Sequence, residues 1–232
     1  MRILALDAST DVCAVALGAA GHWRERAEKA GQRHSEMLLP MVRALLDDAS
    51  LDLRDLDGIA FGAGPGSFTG LRIACGVAQG LALGAGLPLI GIATLEAMAQ
   101  ASYDRHGSER VIAALDARMQ EVYIAAYQHE GHGWRATIEP VVTLPREAPI
   151  PPGGSWSAAG NGFAIYPVLG ERFGTAVTAC DATILPTATA IGVLALSRFA
   201  AGEGVAARDA APLYVRHHVA LTRAERAAGL SL

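Results

Sequence analysis

Apolar residues run in short blocks from the N-terminus onward, and the breaks between blocks fall at glycine, serine and aspartate. Arg2-Ile-Leu-Ala-Leu-Asp7 reads as a strand, residues 7–11 as a polar turn and 12–17 as a second strand. A turn at 18–21 and a more exposed strand at 22–29 complete an antiparallel meander. From 35 to 48 the period changes. Met37, Leu38, Met41, Val42 and Leu45 recur at three- and four-residue spacing, as on a helix with one apolar face. A strand over 57–61, a glycine-rich loop over 62–68, a helix over 69–85 and a strand over 89–92 follow. A further helix, capped by Thr94, runs through Gln100. Together these predict a compact α/β unit.

A polar patch at 103–109 marks a boundary, giving two domains, 1–104 and 105–232. Beyond it the pattern begins again: strand 111–115, turn 116–120, strand 121–128, turn 131–133 and strand 134–138. Residues 149–154 form a proline- and glycine-rich loop. A short strand at 157–160, a short helix at 162–169, a long apolar helix at 183–201 and a terminal strand at 213–215 come after it. No close repeat is visible, but two units that each open strand–turn–strand predict a duplicated architecture. The tail from Thr222 is expected to be loosely held.

Residues 73–95 carry no charge and are long enough to cross a bilayer. Gln79, Pro88 and five glycines interrupt them, so they read as a buried helix, a turn at Gly86-Leu87-Pro88 and a buried strand, with no membrane partner. The chain is 51% apolar with a net charge of −4, which lacks the basic surplus that grips a phosphate backbone unaided. Cys13, Cys75 and Cys180 are widely spaced and odd in number, as buried thiols in a reducing cytoplasm would be. The apolar run at 1–6 meets Asp7 at once and is too short for a signal peptide.

Chemistry-bearing residues gather in two loops. In the first turn, Asp7 is placed to hold a hydrated metal, and Ser9 and Thr10 to grip an anion. A phosphate-embracing hairpin needs glycine, yet Ala8 and Ser9 stand there, so an ordinary Asp/Ser turn is the competing reading. Gly64-Pro65-Gly66-Ser67-Phe68-Thr69-Gly70-Leu71-Arg72 joins a strand to a helix N-terminus, where free amides favour anions. Ser67 or Thr69 caps that helix, and both are candidate anion contacts. The loop lacks the Gly-Lys-Ser/Thr of a Walker loop, and Pro65 breaks the Gly-x-Ser-x-Gly nucleophile pattern. It reads either as a binding surface that exposes Phe68 or as a rigid turn. The helix beyond it places Gly76, Gly80 and Gly84 at four-residue intervals, each costing about 1 kcal/mol against alanine. Such a stripe admits a helix backbone, either inside the chain or across an interface.

The remaining candidates are plainer. His34 reads as a cap or surface group. Asp116-Ala-Arg118-Met-Gln-Glu121-Val-Tyr123 is a charged hairpin. His129 with His132, and His217 with His218, lack metal-ligand helix spacing. No catalytic residue and no metal ligand is assigned, which leaves a metallopeptidase without ligands.

Taken together, these motifs resemble the TsaB family, also called YeaZ. The resemblance rests on Ile-Leu-Ala-Leu-Asp-Ala-Ser-Thr at 3–10, His34-Ser35-Glu36 before Leu-Leu-Pro, the 64–72 loop, and Leu-Asp116-Ala-Arg118 with Glu121 and Tyr123. Pro212-x-Tyr214-x-Arg216 adds a match near the end. It covers the N-terminal half densely, and the 64–72 loop is its most specific part. It implies a two-lobed actin/sugar-kinase/Hsp70-like (ribonuclease H-like) α/β fold, with mixed sheets flanked by helices. It also implies a non-catalytic subunit that pairs with a catalytic paralogue, TsaD, through the helices of its first lobe.

Together with the ATPase TsaE, that pair would transfer threonylcarbamoyl to the adenosine beside the anticodon of ANN-decoding tRNAs. ATP and Mg would be used by the assembled complex, with no cofactor intrinsic to this chain, and tRNA would be met only through the complex. Homodimers would use much the same surface. On this chain the surface maps to His34, Glu36, Met37, Met41, Phe68, Leu71, Arg72, Cys75, Gly76, Gln79, Gly80 and Leu83. The competing class is a nucleotide-binding ATPase or phosphotransferase working from Asp7, Ser9 and Thr10.

Overall fold

The computed structural model describes residues 1–131 and 133–215. The chain opens with β1 (Ile3–Asp7), β2 (Val12–Ala19) and β3 (His22–Lys29) as the expected meander. β4 (Gly58–Gly64) pairs parallel with β1, and β5 (Leu89–Ala93) parallel with β4, in the order β3-β2-β1-β4-β5. β1 is buried on both faces. Leu4 and Leu6 point into a core shared with α1 (His34–Ala49) and α2 (Phe68–Ala85), whereas Ile3 and Ala5 point to the opposite side. The period-two alternation of a strand thereby divides the four consecutive apolar residues Ile3 to Leu6 between two cores.

After α3 (Thr94–His106) the topology repeats. β6 (Arg110–Asp116), β7 (Val122–Glu130) and β8 (Gly133–Thr143) form a meander. β9 (Trp156–Ala159) runs parallel to β6 and β10 (Val177–Asp181) parallel to β9, in the order β10-β9-β6-β7-β8. Read from the meander outward, the two sheets have the same strand order. α4 (Gly162–Ile165) and α5 (Val168–Phe173) flank the second sheet, where Leu169 and Phe173 pack on Ile112 and Trp156. α6 (Ala188–Ala200), from the second half of the chain, returns to cover the first sheet. Its Ile191 and Leu194 join Ile3, Ala5 and Ile92 in the second of the two cores that flank β1.

Several expectations differ from what is observed. The strand expected at 57–61 runs on to Gly64, because its glycines let neighbouring side chains lie flat against the ladder: a Cβ at Gly62 would meet the Asp7 carboxylate. Thr94 does not cap α3. Its hydroxyl instead donates to the Pro65 carbonyl at 2.5 Å. That helix continues to His106 and ends at Gly107 (φ +69°), so the polar patch at 103–109 includes its solvated last turn. The helix expected at 162–169 is two short ones, divided at Pro167. The long helix starts only at Ala188, beyond Pro186, with Thr187 accepting the Ala190 amide. The strand at 134–138 extends to Thr143, and β10 carries no apolar pattern that would announce it. Cys180, on β10, is exposed rather than buried.

Residues 213–215 are not a strand. They belong to a strap that begins near residue 203 and crosses the first lobe. Val205 bridges to Leu89, Ala210 accepts the Gln79 side chain at 3.0 Å, and the Leu213 amide donates to Ala63 at 2.7 Å. α2 is long and apolar enough to cross a membrane by composition, but Leu71, Ala74, Cys75, Ala78 and Ala82 are buried. His132, Arg216, His217, His218 and the tail from Thr222 lie outside the described residues.

Candidate functional site

The motifs, distant in sequence, meet at a cleft of about 860 Å³ between the lobes. Thr10, Asp11, His34, Ser67, Phe68 and Thr69 line one wall, and Asp116, Arg118, Tyr123 and Asn161 the other. A larger cavity of about 1210 Å³ runs along β8, with Glu96, Arg198 and the strap residues Leu213 and Tyr214 in its lining. Its floor holds Glu96, whose two carboxylate oxygens accept from one Arg198 nitrogen at 2.8 and 2.6 Å. That pair ties α3 to α6. The cleft, in contrast, collects residues that the sequence singles out.

On the first wall the β1–β2 turn is pressed into the start of α2. Ser67 donates its amide to the Ser9 carbonyl at 2.7 Å, and its hydroxyl accepts the Gly70 amide at 3.3 Å. A Cβ at Gly66 would lie 2.5 Å from the Ser9 carbonyl oxygen, and one at Gly70 would overlap that of Ala8. Two backbone carbonyls therefore occupy the helix N-terminus, where an anion would otherwise bind. Asp7 is buried beneath this turn, accepting the Ser9 hydroxyl at 3.0 Å and the Ser9 amide at 3.3 Å. Burial pushes its carboxyl up to about 7, and the Ser9 hydrogen bonds only partly oppose that shift. Of the expected anion contacts, Asp7 and Ser9 are buried, while Thr10, Ser67 and Thr69 reach the cleft, Ser67 with its hydroxyl accepting the Gly70 amide. His34 is buried rather than a surface cap, and its Nε2 donates to the Thr10 carbonyl at 3.0 Å.

The second wall is the β6–β7 turn, in which Arg118, Met119 and Gln120 all adopt left-handed backbone conformations (φ +62°, +53° and +61°). Asp116 anchors it, accepting the Tyr166 hydroxyl at 2.7 Å and the Arg118 amide at 3.0 Å, while its own amide donates to Asn161 at 3.0 Å. The Arg118 guanidinium lies 3.2 Å from Asp116, so the expected Asp–Arg pairing is present, with Arg118 otherwise open to solvent. Asn161 and Tyr166 escaped the sequence reading. Gly160-Asn161-Gly162 carried a turn signal that could have located the first. Among the described residues no group of three or more potential metal ligands gathers.

The helices of the first lobe present a second kind of surface. Phe68, Arg72, Gly76, Gly80 and Gly84 form one i, i+4 ridge along α2, and all five are exposed. Among the described residues, Cβ atoms at Gly76, Gly80 and Gly84 would meet nothing within 4 Å, so packing among those residues does not account for them. Leu83 (78% exposed), Phe68 (48%) and Leu39 of α1 (49%) are the large apolar side chains on these two helices that stand in solvent. Glu36 is also exposed, and Met37 and Gln79 are half-buried. Leu71, Cys75, Met41 and His34 turn inward. Burial pushes the Cys75 thiol up from its ordinary range, and Cys75 faces the strap.

Comparison with known proteins agrees with this architecture. A family model described as "TsaD: tRNA N6-adenosine threonylcarbamoyltransferase" matches residues 27–221. A protein of Escherichia coli (strain K12), "tRNA threonylcarbamoyladenosine biosynthesis protein TsaB", is 41% identical over 226 residues, spanning 95% of this chain and 96% of that one. The structure "YeaZ from Pseudomonas aeruginosa" superposes with a TM-score of 0.86 at 42% identity, over 92% of this chain and 99% of the other. The (R)-2-hydroxyglutaryl-CoA dehydratase component A of Acidaminococcus fermentans matches with a TM-score of 0.50 at 9% identity, over 86% and 99%, which is a likeness of fold alone. The fold is the two-lobed actin/sugar-kinase/Hsp70-like one, with mixed sheets flanked by helices. On this sequence similarity and shared structure, the chain belongs to the TsaB (YeaZ) family, within the wider family that the TsaD model describes.

Proposed function

We propose that this chain is a non-catalytic accessory subunit that binds and activates a TsaD partner in threonylcarbamoyl transfer to the adenosine next to the anticodon of ANN-decoding tRNAs. The observation that carries this reading is the open glycine ridge of α2. Three helix glycines cost about 3 kcal/mol in total against alanine, and among the described residues nothing approaches them closely. A helix backbone laid along Gly76, Gly80 and Gly84 would use the space, and Leu83, Phe68 and Leu39 supply apolar area around it.

The rest of the proposal is carried by membership of the TsaB family. TsaE joins the pair, ATP and Mg act in the assembled complex, and the chain alone pairs with itself through this face. The net charge of −4 supports tRNA contact through the complex rather than through this chain. The division near residue 104 and a cytoplasmic location belong to the same proposal. The carbonyl-filled start of α2 speaks against an independent phosphotransferase working from Asp7, Ser9 and Thr10.

The test is to mix the purified chain with its host's TsaD and follow mass by size-exclusion chromatography with light scattering. A stable heterodimer that replaces homodimers is expected. Failure to associate, with or without TsaE and nucleotide, would remove the docking role.

A further inference from the structure

Arg72 is the only charged residue in the eighteen of α2, and it lies on the glycine ridge one helical turn before Gly76. Its surroundings are unusual for an exposed arginine. The Phe68 ring stacks under the guanidinium at 3.7 Å, and Nε donates to the Tyr214 hydroxyl at 3.0 Å. The Phe68 and Tyr214 rings themselves lie 5.9 Å apart. Tyr214 stands on the strap, 142 residues away in sequence, and Leu213 beside it is tied to Ala63. One face and one nitrogen of the guanidinium are therefore committed, which leaves the paired Nη groups as its open edge. Among the described residues no carboxylate pairs with that edge. Arg72 also lies near the N-terminal end of α2, where the helix dipole disfavours a cation, and the first turn holds no acid to offset it.

We infer that the strap acts as a positioning element for docking: Tyr214 and Phe68 hold Arg72 so that its Nη edge receives a carboxylate from a helix of the partner laid along the glycine ridge. This rests on the docking reading above and names the chemistry that the partner must bring, an Asp or Glu side chain at the Phe68 end of the ridge. A fixed guanidinium fork binds carboxylate in two parallel hydrogen bonds and loses little side-chain freedom in doing so. The strap gives this surface orientation as well as apolar area, since the glycines alone would accept a helix in several registers.

The experiment measures affinity for the host's TsaD by titration calorimetry at two salt concentrations, using wild type, Arg72→Gln, Tyr214→Phe and the double variant. Melting temperatures are recorded for each, and Gly80→Leu serves as a control for the ridge. Arg72→Gln is expected to weaken binding roughly tenfold and to flatten its salt dependence. Tyr214→Phe, which keeps the ring and removes the acceptor, is expected to weaken it about threefold with little change in melting temperature. The double variant should bind like Arg72→Gln alone, because Tyr214 acts through Arg72.

If Arg72→Gln and Tyr214→Phe bind as wild type while Gly80→Leu does not bind, this inference is wrong and the docking reading survives. If the two substitutions weaken binding independently, the positioning role is wrong. If wild type itself does not bind TsaD, both readings fall.

Discussion

Two sets of glycines sit on the same strand–helix unit and are there for opposite reasons. Gly62, Gly66 and Gly70, at the start of α2 and the strand before it, are glycine because the molecule is too close: the Asp7 carboxylate and the carbonyls of Ala8 and Ser9 fill the space a Cβ would need. Gly76, Gly80 and Gly84, further along the helix, face open space. The first set holds the chain together by close approach of the β1–β2 turn. The second makes no close contact among the described residues and weakens its helix. A residue type that is costly in a helix and unexplained by contacts within the chain points to contacts outside it.

The comparison breaks most readily at the crowded end. Gly70→Ala drives a methyl group into the Ala8 carbonyl, and we expect it to cost about 3 kcal/mol of stability, read as a lowered midpoint in urea unfolding. A variant as stable as wild type would show that the turn yields easily. At the open end Gly80→Leu should do the reverse. Monomer stability should hold or rise slightly, while affinity for TsaD should fall by about a hundredfold, as seen by calorimetry. Loss of fold in this variant would place the ridge inside the chain's own packing.

Asp7→Asn sharpens the crowded side. The folded chain raises this carboxyl from 3.8 to about 7, so the contribution of Asp7 to stability is fully present below pH 4 and is lost as pH rises through 7. The asparagine variant should match wild type near pH 4 and exceed it at pH 8, by on the order of 2 kcal/mol in parallel urea titrations. Equal slopes of stability against pH would mean that Asp7 does not titrate in this range. The smallest effect belongs to Gly84→Ala, which should raise stability by about 0.8 kcal/mol, visible as a small gain in thermal midpoint.

Much of the fold was legible because strands and helices carry different periods. The meander at residues 3–29 and its repeat after 110 could be read from blocks of Val, Ile, Leu and Ala separated by turn residues. The limits of legibility fall on particular residues. β10 has the sequence Val-Thr-Ala-Cys-Asp and is half-exposed or exposed throughout, so it lacks the alternation that marks a strand with one buried face. Thr94 has the composition of a cap, but the Pro65 carbonyl, 29 residues away, competes for its hydroxyl. At the site, the order of Asp7, His34, the 64–72 loop and Asp116 announced a family, while Asn161 and Tyr166 were hidden because their partner, Asp116, is distant in sequence.

The sequence by itself determined most of the strands and helices, though not β10 or the strap at 213–215, that the two halves repeat one pattern, and that α2 carries an unexplained row of glycines. It could not say which way that row faces. α2 has alanine, leucine or glycine on every side and a single charge, so its helical period sets spacing without setting rotation about the axis. Only the tertiary structure decided this. β4 takes the flank with Leu71, Ala74, Ala78 and Ala82, and the strap takes Cys75 and Gln79, which leaves Arg72 and the glycines outward. Burial of one flank is a property of what packs against it, and here those elements come from residues 58–64 and 203–215, outside the helix itself.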